Sequence, residues 1–123
     1  MGDRVQTVAV DFDGVIHAYS RGWQDGTIYD EPMPGAIDGL KRLQQRYAVY
    51  VLTSREVEQV VPWLEAFGLD VAADRPPYPA FWNHQEQILV TNRKLPAVAY
   101  IDDRAVRFVD WETLDAQLDG APR

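Results

Sequence analysis

The stretch that decides the fold is VAVDFDGV, residues 8–15. Its first three residues are apolar with no polar alternation, which is typical of a strand buried on both faces in a parallel sheet. The run ends in Asp11 and Asp13, and Gly14 follows. Because side chains two positions apart on an extended chain point the same way, both carboxylates can serve one site. The stretch predicts a buried first strand with an acidic end.

Other apolar runs along the chain also end in polar residues. They are YAVYVL at 47–52, before Thr53 and Ser54, and VAYI at 98–101, before Asp102 and Asp103. Helical periodicity over residues 34–47 and 57–67, with a short strand expected over 69–73, makes strands alternate with helices. This alternation predicts an α/β fold, a Rossmann-like three-layer sandwich with a mostly parallel central sheet.

The rest of the chain is read as connections within a single domain, residues 1–123. Asp25 and Gly26 favour a tight turn, so we expect a small flap hairpin over 17–29. Three prolines and three aromatic residues over 74–84 predict an ordered loop without regular structure. Thr53 with Glu56 three residues later resembles a capping box, which predicts a helix starting directly after the second strand.

Composition excludes several classes of protein. Twelve Lys and Arg against nineteen Asp and Glu give 12 − 19 = −7, a charge that repels polynucleotides. No apolar run approaches the roughly 20 residues of a membrane helix, and the N-terminus is too polar for a signal peptide. We therefore expect a soluble, cytoplasmic protein. The chain has no cysteine, so oxygen and nitrogen groups must carry any chemistry.

The ends of parallel strands meet at one edge of a sheet, where such folds bind their ligands. Asp11, Asp13, Asp102 and Asp103 would gather there, and their mutual repulsion favours a bound cation. Oxygen donors without a His or Cys cluster favour Mg²⁺. Thr53 and Lys94 would suit a phosphate group beside that ion.

In chain order, DFDGV at 11–15, VLTS at 51–54, Lys94 in TNRK and YIDD at 100–103 resemble the four motifs of the haloacid dehalogenase-like phosphatases. The resemblance implies Asp11 as the nucleophile that forms an aspartyl-phosphate and Asp13 as general acid and base. It implies a phosphate held by Thr53, Ser54 and Lys94. It places Mg²⁺ on Asp11, the backbone carbonyl of Asp13, and the acidic pair Asp102 and Asp103.

The gaps from Asp13 to Thr53 and from Thr53 to Lys94 are 40 and 41 residues, and each is filled by a helix and short connections, so the chain resembles a small member without a cap domain. The flap or the 74–84 loop could cover its site. Arg93 competes with Lys94 as the phosphate-binding cation, and either acid of the 102–103 pair could bind the metal directly. A phosphorylated small molecule is the favoured substrate, a nucleic-acid end is not favoured, and the oligomeric state is left open.

Two other functions fit the same residues less well. One is a phosphoacceptor signalling domain, although such domains place an acidic pair after the first strand and the acceptor Asp in the middle of the chain. The other is a catalytically idle binding module that uses the 17–29 segment and the aromatic loop. The motif order favours a phosphatase that cleaves phosphate monoesters with Mg²⁺.

Overall fold

A computed structural model describes residues 5–105 and 107–119. In these segments five parallel strands form one sheet, in the order β3-β4-β2-β1-β5. The strands are β1 (Thr7–Asp11), β2 (Ala48–Leu52), β3 (Val71–Ala73), β4 (Ile88–Thr91) and β5 (Ala99–Ile101). The helices are α1 (Ala36–Gln44), α2 (Val57–Glu65) and α3 (Trp111–Asp119). The predicted Rossmann-like α/β sandwich is confirmed.

The two faces of the sheet are covered differently. Val8 and Val10 of β1 pack with buried residues of α1 and α2 on one face. On the other face Ala9, Tyr50 and Leu89 pack against Trp82 and Leu95, which come from segments without regular structure. This alternation follows from the period of two along each strand. The core is therefore layered, with two helices on one face and loops on the other.

The last two elements of the chain, β5 and α3, are its least buried elements. All three residues of β5 are exposed, and α3 has no buried residue. Phe108 and Val109, an apolar pair that could begin a last edge strand, lie outside any strand. Among the described residues, no helix combines the length and apolarity needed to cross a membrane.

Strand β4 has no counterpart in the sequence prediction. Ile88, Leu89, Val90 and Thr91 are all buried, and the strand lies between β2 and β3. The apolar run ILV is typical of a buried strand, but it is only three residues long and follows an irregular loop, so it did not predict one. Its place in the sheet matters because the residues after it, from Asn92 onwards, start at the same edge as the acidic residues.

The predicted hairpin over 17–29 is wrong, since no strand forms in that range. Side chains, not a partner strand, satisfy its backbone. Asp30 Oδ2 accepts from the Ser20 backbone N–H at 2.8 Å, and Tyr29 Oη accepts from the Arg21 N–H at 2.7 Å. His17 is fully buried and pairs with Asp13 and Pro32 through isolated bridges. With these partners available, the segment folds as a compact loop.

Candidate active site

The site is built where β1, β2 and β5 end. Asp11 is the last residue of β1 and lies opposite Leu52 of β2, while Val10 lies opposite Ile101 of β5. Asp102 follows β5 directly. The parallel register therefore brings the ends of three strands together, as the apolar runs predicted, although β1 and β5 are almost 90 residues apart in the chain.

Asp11, Asp102 and Asp103 form an acidic cluster. Each offers one carboxylate oxygen, and these oxygens lie within 4.8 Å of one another. Burial and the charges of Asp102, Asp103 and Asp13 raise the pKa of Asp11 to about 6, from an ordinary value of 3.8. The raised pKa means that the ionised form of Asp11 is disfavoured, first by burial and then by the neighbouring negative charges. The three oxygens are a set that a hard divalent cation prefers.

Gly14 fixes the position of Asp103. Its φ is +88°, a left-handed conformation that an L side chain rarely adopts, and a Cβ there would collide with Oδ2 of Asp103. The carboxylate thus packs directly on the Gly14 backbone. This close approach gives the glycine of the DFDG stretch a specific role: it makes room for an acid from β5.

Asp13 does not join the cluster with its side chain, because two other residues hold its carboxylate. Arg55 Nε lies 3.0 Å from Oδ1 and 2.9 Å from Oδ2, and His17 Nδ1 lies 2.8 Å from Oδ1. Both partners are buried, and Arg55 is only 1% exposed. Asp13 is therefore held in one orientation as an acceptor of hydrogen bonds.

The hydrogen bonds also assign the tautomer of His17. The Asp30 backbone N–H donates to His17 Nε2 at 3.0 Å, so Nε2 is the accepting nitrogen. Nδ1 then carries the hydrogen and donates to Asp13. The ring stacks on Phe12 at 5.5 Å between centroids. His17 is a fixed donor that orients Asp13 from inside the core.

Thr53 and Ser54 follow β2 and line the same cavity as Asp11 and Asp13. The predicted capping box at Thr53 is wrong, because α2 begins at Val57 and its N-cap Glu56 makes no side-chain hydrogen bond. Thr53 Oγ1 instead accepts from the Arg55 N–H at 3.0 Å, which forms a tight turn. This turn directs the Arg55 side chain towards the carboxylate of Asp13.

The cavity has a volume of about 190 Å³ and is lined by Asp11, Asp13, Tyr19, Trp23, Thr53, Ser54, Asp103 and Arg104. Tyr19 and Trp23 come from the 17–29 segment, so this segment, and not the 74–84 loop, borders the site. A larger cavity of about 520 Å³ beside α1 is lined by apolar side chains and by Arg42 and Arg46, without a carboxylate. It lacks the groups that the predicted chemistry needs.

The structure does not bring Lys94 into the lining of this cavity. Its Nζ lies 4.6 Å from the centroid of the Tyr100 ring. Arg93, the other candidate, donates from Nε and Nη2 to Asp74 at 2.7 and 3.0 Å, and from Nη2 to the Pro79 carbonyl at 2.8 Å. The phosphate-binding role of Lys94 stays a prediction, and Arg93 is used to hold the 74–84 loop.

Four residues of the site were missed by the sequence analysis: His17, Tyr19, Arg55 and Arg104. Arg104 is exposed and is the cation among the described residues that line the cavity. Arg55 was read as part of a helix start, and only its contact with Asp13, 42 positions away in the chain, identifies it. Its Nη2 is buried without a hydrogen-bond partner among the described residues, a condition that costs about 1–3 kcal/mol.

Comparisons with known proteins add a relative. No family model and no curated protein matches the chain. A solved structure described as a conserved protein coded by a locus from Bacteroides thetaiotaomicron is similar, with 31% sequence identity and a TM-score of 0.54. The match covers 94% of this chain and 91% of the other. The chain belongs to the same family as that conserved protein.

Proposed function

We propose that the protein is a Mg²⁺-dependent phosphohydrolase of the haloacid dehalogenase-like type that cleaves phosphate monoesters through an aspartyl-phosphate. The observation that carries the proposal is the acidic cluster of Asp11, Asp102 and Asp103, two of which, Asp11 and Asp103, line one cavity together with Thr53 and Ser54. Carboxylates beside hydroxyl groups at the end of a parallel sheet suit a phosphate and its cation.

The cluster fits a divalent cation by the chemistry of its donors. Asp11, Asp102 and Asp103 would hold the ion, and the backbone carbonyl of Asp13 would complete the set that the resemblance implies. The raised pKa of Asp11 marks charge that such an ion would neutralise. When bound, Mg²⁺ supplies positive charge that offsets the phosphate and makes its phosphorus more open to attack.

The residues of the chain have separate roles in the reaction. A carboxylate oxygen of Asp11 forms a bond to phosphorus as the bond from phosphorus to the leaving oxygen breaks, and that oxygen takes up a proton from Asp13, the general acid. Water then attacks the phosphorus, which releases phosphate and restores Asp11. Asp13, held by His17 and Arg55, receives the proton of this water. We assign the binding of phosphate oxygens to Thr53, Ser54 and Arg104, and what supports this is that all three line the cavity.

The test compares the Asp11→Asn and Asp38→Asn variants with the wild type in steady-state hydrolysis of an aryl phosphate with Mg²⁺. Asp38 is exposed on α1, so its variant controls for loss of one charge. We expect Asp11→Asn to lose about a thousandfold in kcat or more, because it lacks the nucleophile, and Asp38→Asn to retain activity. Wild-type turnover by Asp11→Asn would refute the assignment.

The same assay separates a phosphatase from a phosphoacceptor domain. A phosphatase releases many equivalents of phosphate per protein. A single equivalent, retained on the protein as an acid-stable but base-labile acyl phosphate, would instead indicate a signalling function.

A further inference from the structure

We propose that the rim of the site is an aromatic subsite, and that the preferred substrates are phosphate monoesters whose alcohol carries a flat aromatic ring that stacks on Trp23. This inference rests on the proposed phosphohydrolase function and names its substrate class. It depends on three features of the 17–29 segment: the size of the cavity, the exposure of Trp23 and the way in which its ring is held.

The cavity is too small for a whole substrate. Its volume of about 190 Å³ lies below the roughly 300–1,000 Å³ of pockets that enclose a typical small-molecule ligand. Its hydroxyl groups and Arg104 suit the phosphate, and its carboxylates suit the cation that would accompany it. The alcohol of the substrate must then extend past the rim, where the large side chains are Tyr19 and Trp23.

Trp23 offers exposed aromatic surface at that rim. It is 48% exposed, and the residues on either side of it, from 21 to 27, are exposed or half-buried. An exposed indole beside a phosphate site can bind a flat ring by stacking, an interaction that tolerates many ring types because every aromatic base has a π face. Tyr19 is less available, since it lies edge-on to His17 at 5.9 Å between centroids.

The Trp23 ring is held in place before any ligand arrives. The Arg55 guanidinium carbon lies 4.6 Å from its centroid, and Arg55 is itself fixed by Asp13 and by the Gly26 carbonyl. On the same ring, Cζ2 is so close to the Gly26 backbone that a Cβ there would lie at 3.2 Å. A platform fixed in this way loses little conformational entropy on binding.

The backbone around Trp23 is held in uncommon conformations. Tyr19 and Gln24 have φ of 55° and 53°, which is rare for residues other than glycine. The Tyr29 hydroxyl donates to the Gly22 carbonyl at 2.8 Å, and the Gln24 amide donates to the Arg21 carbonyl. Such conformations persist where the surroundings fix them, often at sites that bind ligands. The segment is thus built to present one side chain.

The experiment measures kcat/KM for two matched pairs of substrates. Adenosine 5′-monophosphate and ribose 5-phosphate share the leaving oxygen and differ in the base. Benzyl phosphate and cyclohexylmethyl phosphate are similar in size and differ in flatness. For the wild type we expect at least a tenfold preference for the aromatic member of each pair, mostly through KM, because stacking binds the ground state and the transition state alike.

Two variants assign the preference to Trp23. Trp23→Leu should reduce both ratios to about threefold or less, and Trp23→Phe should restore part of them. Trp111→Leu, which removes an exposed tryptophan of α3, is the matched control and should keep the wild-type ratios. Wild-type ratios near one, or ratios unchanged in Trp23→Leu, would overturn the aromatic subsite while leaving the phosphohydrolase intact.

A failure of catalysis is distinguishable from a failure of the subsite. If no phosphate ester is hydrolysed, the proposed function falls, and calorimetric binding of the same two sugar phosphates decides the inference. Tenfold tighter binding of adenosine 5′-monophosphate that disappears in Trp23→Leu would support the subsite without turnover. Equal binding of the two compounds would refute it.

Discussion

At Asp11, burial and the negative charges of the neighbouring acids together disfavour the ionised carboxylate. Its folded-state pKa of about 6 exceeds the ordinary value of 3.8. Between these values the folded protein keeps a proton that the unfolded chain releases, so stability falls as pH rises from about 4 to 6. Above pH 6 the full cost of the ionised group is present.

Asp11→Asn should therefore stabilise the metal-free protein at neutral pH. The shift of about two units is discounted for the half-exposed position, which gives a gain of about 1–2 kcal/mol in the free energy of unfolding at pH 7.5. Little difference is expected at pH 4. Urea denaturation at both pH values measures this change in the free energy of unfolding, with Asp38→Asn as the control. A variant less stable than the wild type at pH 7.5 would contradict this electrostatic account.

A second prediction for a single residue concerns Gly14. Gly14→Ala and Gly22→Ala both place a Cβ at positive φ, but only the first also meets Asp103, since nothing lies within 4 Å of a Cβ at Gly22. Each should lose about 1 kcal/mol of stability or somewhat more. Only Gly14→Ala should also weaken Mg²⁺ binding, measured by calorimetry. Equal Mg²⁺ affinity in the two variants would mean that Asp103 is not a ligand.

The individual acids of the site could be predicted from the sequence because each directly follows an apolar run. The structure adds Arg55 and His17, whose importance depends on contacts across the fold. Arg55 lies in a turn of ordinary composition, and a lone buried histidine is common in protein cores. No local pattern distinguishes either one, because the partner that matters, Asp13, is fixed by tertiary packing.

Among the elements, β2 anchors the segment that follows β4. The hydroxyl of the buried Tyr50 donates to the Leu95 carbonyl at 2.7 Å and accepts from the Leu95 N–H at 2.8 Å. Tyr50→Phe would leave the N–H without its acceptor and should cost about 1–3 kcal/mol in the free energy of unfolding. Tyr78→Phe, at an exposed position, should change it by less than about 0.5 kcal/mol. Chemical denaturation compares them, and equal stabilities would contradict the anchoring role.

The 74–84 loop depends on the ion pair of Asp74 with Arg93, which lies two residues after the end of β4. Arg93 and, to a lesser extent, Thr91 hold the pKa of Asp74 below its ordinary value. The resulting stabilisation is present above that ordinary value and is lost as pH falls through the folded-state pKa. Arg93→Met should lower Tm at pH 7, and the difference should narrow towards pH 3.

The exposed Arg75, in the same loop, provides the control variant Arg75→Met, which should keep the wild-type Tm. If Arg93→Met also keeps that Tm but loses phosphate binding, Arg93 would be a ligand of the substrate and not a support of the loop.

Element prediction succeeded for most of the regular structure, including the short strands β3 and β5, and failed at β4 and in the 17–29 segment. β1, β2, α1 and α2 have runs long enough to specify their type. β4 has only three apolar residues and was missed. The 17–29 segment has turn residues but no flanking alternation, and its backbone is satisfied by Asp30, Tyr29 and His17 instead of a neighbouring strand.

For the whole molecule, burial predicts that stability depends mainly on the helical face of the sheet. Leu64 of α2 is fully buried, whereas Leu118 of α3 is 50% exposed. Leu64→Ala should cost about 2–5 kcal/mol, as expected for a core cavity. Leu118→Ala should change the free energy of unfolding by less than about 0.5 kcal/mol. A large loss in Leu118→Ala would show that α3 is packed in solution.

Because β5 lies exposed at the edge of the sheet, cation binding can control whether it separates from β1. Asp102 and Asp103 are joined to β5, and Asp11 to β1, so without a cation the carboxylates push the outermost strand away from its neighbour. A divalent ion bound by carboxylates of both strands would replace this repulsion with attraction and hold the two strands together. Amide hydrogen exchange at Tyr100, whose N–H faces β1 by alternation from the Val98 N–H that donates to Thr7, should then slow on adding Mg²⁺ and report whether this edge of the sheet is open or closed.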